Sequence, residues 1–289
     1  DLMIDSTDFL NLEALPKRIL FVGGGFVSFE FAHIAARAGA EPVIVDRGAR
    51  PLNAFDPDLV EMLIERSAGV GVDLQRETEI VSVEEADGVF MVEVTSGGET
   101  RTIETDLVVH GAGRIAALAD LNLEAADVAY GDKGIAAVFA AGDSADTKGM
   151  PLTPVAVIEG KVAASNMLKD QKIVPDYSGI PTAVFTVPEL ARVGMLEAEA
   201  KEAGHDVDVR FTDTGGWYSN YRIGETSAAA KVLVDKSDGK ILGAHLFGPE
   251  YGELINFFGL AIKMGLTAKQ LKSMTAVYPS VGSDLGSLI

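Results

Sequence analysis

The sequence predicts an α/β fold with a parallel sheet, followed by an α+β region. An apolar run from Ile19 to Val22 enters a glycine turn and is followed by an Ala-rich, helix-like run that ends near Gly39. A second apolar run, Val43 to Val45, comes directly after it. Short apolar runs that alternate with helical runs are typical of parallel strands connected by crossover helices.

The first predicted strand leads into a turn with the spacing of a dinucleotide-binding motif. Gly23, Gly25 and Ser28 occupy the three positions of a G-x-G-x-x-G pattern. In this pattern the first glycine makes a tight turn, the second admits a pyrophosphate, and a small third residue lets the helix pack on the sheet. Asp46 closes the second strand, where a carboxylate accepts hydrogen bonds from ribose hydroxyls. We therefore expect dinucleotide binding; the alternative is a glycine-rich turn that only packs a helix.

The alternation continues after Asp46 and then changes character. We predict helices and strands, in chain order, at 26–38 (α), 43–45 (β), 57–68 (α) and 71–74 (β), then an antiparallel stretch near 78–94 and 100–105 with a turn at Ser96-Gly97-Gly98. A strand from Leu107 leads into Gly111-Ala-Gly113-Arg114 and closes this part of the chain. We therefore predict that the antiparallel stretch is an insertion into a parallel sheet.

Two further regions follow. The first contains a predicted strand, Val138 to Ala141, then Gly142 and Asp143, then a helix to about Leu168 with Thr153 as N-cap and Pro154 at the first helical position. In the second we predict strands near 182–186, 206–213, 228–234 and 240–247, and helices near 196–203, 250–264 and 267–273. The predicted boundaries are a lead-in over 1–18 and domains over 19–115, 116–174 and 175–289.

The composition narrows the classes of function. The chain has 289 residues, 47% of them hydrophobic, and a formal net charge of −19. This charge disfavours nucleic acid and anionic membranes as partners. Because there is no Cys and the four His are scattered, we expect no disulfide framework and no metal site. We see neither a signal peptide nor an apolar run long enough to cross a bilayer, so the expected location is cytoplasmic.

Five motifs in consistent order resemble class I pyridine nucleotide-disulfide oxidoreductases, the family of glutathione reductase, dihydrolipoamide dehydrogenase and mercuric reductase. The matching segments are Gly23-Gly-Gly-Phe-Val-Ser-Phe-Glu30, Asp106-Leu-Val-Val to Arg114, Ala140-Ala-Gly-Asp143 with Leu152-Thr-Pro-Val-Ala156, Pro181 to Gly194, and Gly243-Ala-His-Leu-Phe-Gly-Pro249. The resemblance covers residues 10 to 289. It implies a Rossmann-like NAD(P)-binding domain, a partial FAD-binding segment, and an α+β dimerisation domain.

The chain departs from the family pattern at three places. The family's opening FAD fold, with its C-x4-C redox pair, has no counterpart, so we expect a truncated protein or a fragment of a longer one. The family normally has about a dozen residues between Gly134-Ile135 and Val138-Phe139, which are nearly adjacent here, so we expect a deletion or an omitted loop near Ile135 and Ala136. The family's His-Pro-x-x-x-Glu dyad is replaced by Tyr278-Pro to Asp284, and Tyr is a poor base at neutral pH because its ordinary pKa is about 10.

The resemblance assigns roles around the expected hydride-transfer site. Phe26 stands where the family places an aromatic ring that covers the flavin and moves aside for nicotinamide; the alternative is a core ring. Glu30 stands where the family pairs an acid with a lysine near flavin N5, and that lysine is missing here. Tyr278 and Asp284 lie in the segment that reaches the partner subunit's active site, where they act in catalysis or only stabilise the interface.

The remaining candidate residues concern the cofactors. Asp46 favours NAD. Arg47 and Arg50 either form a clamp for the 2′-phosphate of NADP or are ordinary surface arginines, so the coenzyme is left undecided. Gly113 would let the backbone approach the nicotinamide nucleotide, with Arg114 beside it. By resemblance, Gly142 and Asp143 would bind the flavin ribityl chain, and the helix start from Thr153 to Ala156 would face the flavin edge that becomes negative on reduction.

We expect a homodimeric, FAD-dependent NAD(P)H oxidoreductase that passes hydride to flavin and then to a disulfide or small-molecule acceptor. The alternative is a catalytically inactive module that binds NAD(P) and dimerises.

Overall fold

The computed structural model describes residues 2–131, 134–135, 140–169 and 173–289. The chain divides into two compact units, Asp1–Gly113 together with Pro181–Ile289, and Arg114–Ile180. The predicted strand at Val138 and the short junction between Ile135 and Ala136 lie outside the described residues. Within the described ranges, no helix combines the length and the apolar character needed to span a bilayer.

The described residues form the following strands: β1 (Arg18–Val22), β2 (Glu41–Val45), β3 (Asp73–Gln75), β4 (Glu79–Ala86), β5 (Val89–Ser96), β6 (Glu99–Thr105), β7 (Leu107–His110), β8 (Tyr130–Gly131), β9 (Gly134–Ile135), β10 (Thr182–Val184), β11 (Glu189–Gly194), β12 (Val207–Asp213), β13 (Ala229–Asp235) and β14 (Ile241–Gly248). The α-helices are α1 (Ser6–Leu10), α2 (Phe26–Arg37), α3 (Pro57–Gly69), α4 (Thr153–Leu168), α5 (Glu197–Glu202), α6 (Tyr218–Tyr221), α7 (Tyr251–Met264), α8 (Ala268–Lys272) and α9 (Val281–Leu288).

A parallel sheet in the order β3-β2-β1-β7 organises the first unit. Its central strand β1 is buried on both faces: Ile19 and Phe21 belong to one core cluster and Leu20 to another. An uninterrupted apolar run is the pattern that such a doubly covered strand requires. The α/β class predicted from the sequence is confirmed.

One face of this sheet is covered by helices and the other by a meander. The inner residues of α2 and α3, among them Phe29 and Leu63, pack on Ile19 and Phe21. The antiparallel sheet β4-β5-β6 covers the opposite face through Val92 and Val94. The predicted antiparallel stretch therefore contains three strands.

The five-stranded antiparallel sheet of the first unit runs in the order β10-β11-β14-β13-β12. Its side chains Leu190 and Phe247 join the core that contains α2 and α3. Its other face packs on α7, α8 and α9 through residues such as Phe258 and Leu285. The two segments of this unit thus share one hydrophobic core.

The sequence-based prediction missed β11 and α9. In β11, Glu189, Arg192 and Gly194 interrupt the apolar run. The sequence of α9 contains two Gly and two Ser, which have low helix propensity. Its helix is stabilised by tertiary packing, since Leu285 and Leu288 are buried in the core.

Candidate functional site

The glycine turn after β1 is held by backbone contacts. Gly23 has φ +94°, and its amide donates to the Val45 carbonyl at 2.8 Å. A Cβ at this position would lie 2.6 Å from Ala112 Cα, which is closer than non-bonded carbons approach. Only glycine fits both the left-handed backbone and this close approach.

Gly25 is the N-cap of α2 and leaves the helix start open. It has no side chain to cap the helix, and the first turn contains no acidic residue. The first amides of an α-helix have no acceptor within the helix, and they carry the positive end of its dipole. This end of α2 therefore suits an anionic group.

Ser28 sets the distance between α2 and the loop after β7. It is fully buried, and a Cβ added to Gly111 would overlap its hydroxyl. The Gly111 amide in turn donates to Val22 O at 2.9 Å. A small residue at position 28 and a glycine at position 111 thus allow this close packing.

The carboxylate of Asp46 lies against the glycine turn. A side chain at Gly24 would overlap Asp46 Oδ2 and would lie 2.7 Å from Pro51 Cβ. Asp46 Oδ1 accepts a weak hydrogen bond from the Gly48 amide at 3.3 Å. The main chain of Asp46 makes two hydrogen bonds: its amide donates to the Gln75 carbonyl at 2.9 Å, and its carbonyl accepts from the Thr78 amide at 3.0 Å. The acid is therefore fixed beside the turn, with acceptor capacity to spare.

The two arginines after β2 have different surroundings. Arg50 is exposed. Its Nε donates to the side-chain oxygen Oδ1 of Asn53 at 3.2 Å, and its Nη2 donates to the Asn53 carbonyl at 2.5 Å. Arg47 lines an open cleft of about 310 Å³ together with the carboxylates Glu77 and Glu79. Arg47 thus lines this cleft, whereas Arg50 is hydrogen-bonded to Asn53.

Phe26 and Glu30 lie one helical turn apart on α2. The Phe26 ring is 50% exposed. Glu30 is half-buried and accepts a hydrogen bond from the Phe185 amide at 2.9 Å. Burial raises the pKa of Glu30, and the hydrogen bond from Phe185 opposes this shift in part. In place of the expected lysine, this acid has a backbone amide as partner.

The segment after β7 leaves the first unit at Gly113. Gly113 has φ +127°, and no residue that the structure describes lies within 4 Å of an added Cβ. Arg114 is exposed and begins the second unit. Backbone approach at Gly113 is therefore open to a ligand.

In the second unit, Gly142 and Asp143 form a short 3-10 turn with Ser144. Gly142 has φ +69°, and a Cβ there would lie 3.1 Å from the Ala156 methyl. Asp143 is exposed. The glycine permits the turn that presents this carboxylate.

The helix α4 begins one residue earlier than predicted. Its N-cap is Leu152, which has extended backbone, and Thr153 is the first helical residue. The prediction of Thr153 as N-cap is therefore wrong. Pro154 is accommodated because the second residue of a helix needs no amide donor. Without a side-chain cap, the first amides of α4 remain available to a ligand.

Glu159 is an important residue of this unit that the sequence analysis missed. Only 3% of its surface is exposed, and it accepts hydrogen bonds from the Gly142 amide at 2.7 Å, Thr147 Oγ1 at 2.6 Å and Tyr177 Oη at 2.7 Å. Burial opposes its ionisation, but the hydrogen bonds from Thr147, Tyr177 and Gly142 together hold its pKa below the ordinary value. An acid within an apolar helical run was the available signal, as it was for Glu30.

The residues of the expected C-terminal dyad have separate surroundings. Tyr278 is 77% exposed and precedes α9. Asp284, on α9, accepts a hydrogen bond from Ser219 Oγ at 2.5 Å. Of the aromatic residues near Ser219, Trp217 packs against the core, whereas Tyr218 and Tyr221 are exposed.

Family models match most of the chain. The model of the pyridine nucleotide-disulphide oxidoreductase family matches residues 2–160, and that of the family's dimerisation domain matches residues 180–288. A glutathione reductase of Burkholderia cepacia is 30% identical over 299 residues, a match covering 100% of this chain and 66% of the reductase. An uncharacterized 19.7 kDa protein in a mercuric resistance operon of Staphylococcus aureus is 46% identical over 152 residues, which are 53% of this chain and 84% of that protein.

Solved structures are similar to this chain over almost its whole length. The Cu(II) complex of the HOCl-induced flavoprotein disulfide reductase RclA from Escherichia coli superposes with a TM-score of 0.88 at 26% identity. That match covers 99% of this chain and 66% of RclA. The chain thus spans slightly less than two thirds of the length of the reductases that it matches.

Proposed function

The chain belongs to the pyridine nucleotide-disulphide oxidoreductase family, and from this premise we propose that it supplies the NAD(P)H-binding and dimerising parts of an FAD-dependent oxidoreductase. The observation that carries the proposal is the arrangement in the first unit: an open α2 start, a glycine turn that no larger residue fits, and the Asp46 carboxylate beside that turn.

Each part of this arrangement fits one part of a dinucleotide. The pyrophosphate would lie at Gly25, where the first amides of α2 donate hydrogen bonds and the helix dipole favours negative charge. The carboxylate of Asp46 would accept hydrogen bonds from the adenosine ribose. Gly113 would allow the nicotinamide nucleotide to approach the backbone beyond β7.

The second unit supplies residues that fit the flavin. The exposed carboxylate of Asp143 would accept hydrogen bonds from ribityl hydroxyls. The first amides of α4, from Thr153 to Ala156, would donate to the edge of the flavin ring that gains negative charge. Glu159 would act as a positioning residue, because it holds the Gly142 amide and so fixes the turn that presents Asp143.

Bound FAD would supply the two-electron chemistry, accepting a hydride from the nicotinamide. The part played by this chain would be to position the reactants and to exclude water. The exposed ring of Phe26 would cover the reaction site until nicotinamide enters. Glu30, half-buried and oriented by the Phe185 amide, would exchange a proton near that site, and burial raises its pKa. The interface residues Tyr278 and Asp284 would lie near the partner subunit.

The match of residues 180–288 to a dimerisation domain supports a homodimer. The helix α7 supports it as well, because it buries one face and exposes Phe257, Leu260 and Met264 on another. Exposed apolar side chains grouped on one surface are typical of protein interfaces.

One observation favours the alternative, a module that binds NAD(P)H and dimerises without turnover. The chain contains no Cys, so a disulfide cannot be reduced by thiols of this chain. The two functions differ in flavin chemistry: only the oxidoreductase would bind added FAD and oxidise NADH with ferricyanide as acceptor. The cytoplasmic location and the exclusion of nucleic acid and membranes stay predictions.

The proposed nucleotide site is tested by replacing Gly25 with Ala and titrating the chain with NADH by calorimetry. The Gly25→Ala methyl would lie 3.3 Å from Gly111 O, a tight contact that a small shift relieves, and it would occupy the approach of the pyrophosphate. We expect binding to weaken at least about tenfold, a cost of about 1.4 kcal/mol, with little change in melting temperature. Gly69→Ala, with open space around its Cβ, is the matched control. Equal affinity of both variants would argue against this site.

A further inference from the structure

We propose that this chain selects NADH over NADPH, and that Asp46 is the residue that determines this specificity. The inference rests on the proposed function, since it names the coenzyme of the same nucleotide site. The sequence left the choice open, because Asp46 favours one coenzyme and Arg47 with Arg50 the other. The arrangement of these three side chains removes the ambiguity.

Asp46 is fixed where a 2′-phosphate would have to lie. Its carboxylate occupies the space above Gly24, and the main chain on both sides is hydrogen-bonded to Gln75 and Thr78. Among the residues that the structure describes, the Gly48 amide alone donates to this carboxylate, through one weak contact to Oδ1. The carboxylate can therefore accept hydrogen bonds from ribose hydroxyls but would repel a phosphate, which carries about −1.5 to −2 charges at neutral pH.

Arg50 is not free to act as a phosphate clamp. Its guanidinium donates to both the side chain and the carbonyl of Asn53. A clamp on a 2′-phosphate needs the planar donor face of the guanidinium. To reach a phosphate, Arg50 would have to give up two hydrogen bonds.

Arg47 lines a cleft together with two acidic residues. The cleft that it lines also contains Glu77 and Glu79, and the rest of the lining is the Ala49 side chain and the turn between β5 and β6. An anion in this cleft would meet two negative charges for each positive charge. With Asp46 beside it, the local charge opposes the coenzyme that carries the extra phosphate.

The test compares the affinities of NADH and NADPH for the purified chain by calorimetry at one fixed salt concentration. The variants are Asp46→Asn, which removes the charge and keeps the shape, and Glu85→Gln as a control. Glu85 is an exposed acid at the far end of β4 from Glu79, so its loss changes the net charge equally. Circular dichroism confirms that each variant is folded.

We expect wild type and Glu85→Gln to bind NADH at least about tenfold more tightly than NADPH, and Asp46→Asn to lose most of that ratio. Equal or tighter binding of NADPH by the wild type would overturn the inference and leave the proposed function intact. An unchanged ratio in Asp46→Asn would overturn the role of Asp46. If neither coenzyme bound to the folded chain, the proposed function would fail, and the inference with it.

Discussion

At the scale of the residue, three acids that look alike in sequence have different surroundings in the structure. Asp46 lies beside the glycine turn with unused acceptor capacity, whereas Glu159 is buried and has three donors. Glu30 lies between these extremes, with a single backbone donor. The three hydrogen bonds of Glu159 hold the local structure, whereas the proposed role of Asp46 depends on oxygens that can still accept hydrogen bonds.

His33 provides a pH-dependent test of the packing of α2. Its Nε2 lies 2.8 Å from Ser67 Oγ, and its Nδ1 accepts from the Val187 amide at 3.4 Å. Burial, together with the charges of Arg37 and Arg66, lowers its pKa to about 4. Because the unfolded chain then binds the proton more tightly, the stability contributed by neutral His33 is complete above about pH 6.5 and is lost as the pH falls toward 4.

The free energy of unfolding of the wild type should fall between pH 7 and pH 5 as the unfolded chain takes up a proton at His33. We expect this fall to be about 2 kcal/mol smaller in His33→Gln. Urea unfolding at pH 5, 6 and 7 measures this difference. His110→Gln, at an exposed position at the end of β7, is the control. A pH dependence that is the same in His33→Gln and wild type would contradict the assignment.

At the scale of the element, a buried ion pair joins the start of α3 to β13. The Lys231 ammonium is 4% exposed and donates to Asp56 at 2.9 Å and to Asp58 at 2.5 Å. Asp56 also caps α3 by accepting from the amides of Asp58 and Leu59. One contact group therefore fixes the start of α3 and connects it to the five-stranded antiparallel sheet.

Lys231→Met should destabilise the chain by about 3–5 kcal/mol, because it leaves the buried Asp56 carboxylate without its cation. Adding Asp56→Ser should recover much of this loss, since Ser still caps the helix and is uncharged. Urea unfolding of both variants at pH 7 gives the comparison. Lys236→Met, which removes an exposed pair with Asp206, should cost less than about 1 kcal/mol. Equal losses for the two lysines would refute this account.

Sequence patterns predicted most elements near the site but not the contacts between them. The glycine turn, α2 and β2 follow from local rules, and the structure has them within two residues of the predicted bounds. The start of α4 was misplaced by one residue because Thr before Pro also fits an N-cap. Lys231 lies in an apolar strand whose pattern predicts burial, yet nothing local identifies Asp56 as its partner, 175 residues away.

At the scale of the whole molecule, two segments distant in sequence form one compact unit. Pairs such as Glu30 with Phe185 and Arg66 with Glu225 join residues more than 150 positions apart. Such pairings depend on the complete fold, so periodicity and spacing could not reveal them. The predicted division at residues 115 and 174 stays a prediction about domains.

The proposed homodimer is tested at Leu260, which is 58% exposed on α7. Leu260→Asp would place a charge within the apolar surface formed with Phe257 and Met264. We expect it to shift the chain from dimer to monomer in light scattering after size exclusion. Val81→Asp, at an exposed apolar position on β4, should leave the dimer intact. A dimer that persists in Leu260→Asp would place the interface elsewhere.

An NMR titration of the labelled chain with NADH shows whether the turn after β1 and the start of α2 bind the nicotinamide nucleotide. We predict saturable shifts that are largest for the amides of residues 23–28 and 46–48. Saturable shifts centred on other parts of the chain, or none in a folded sample at millimolar NADH, would contradict binding at this turn.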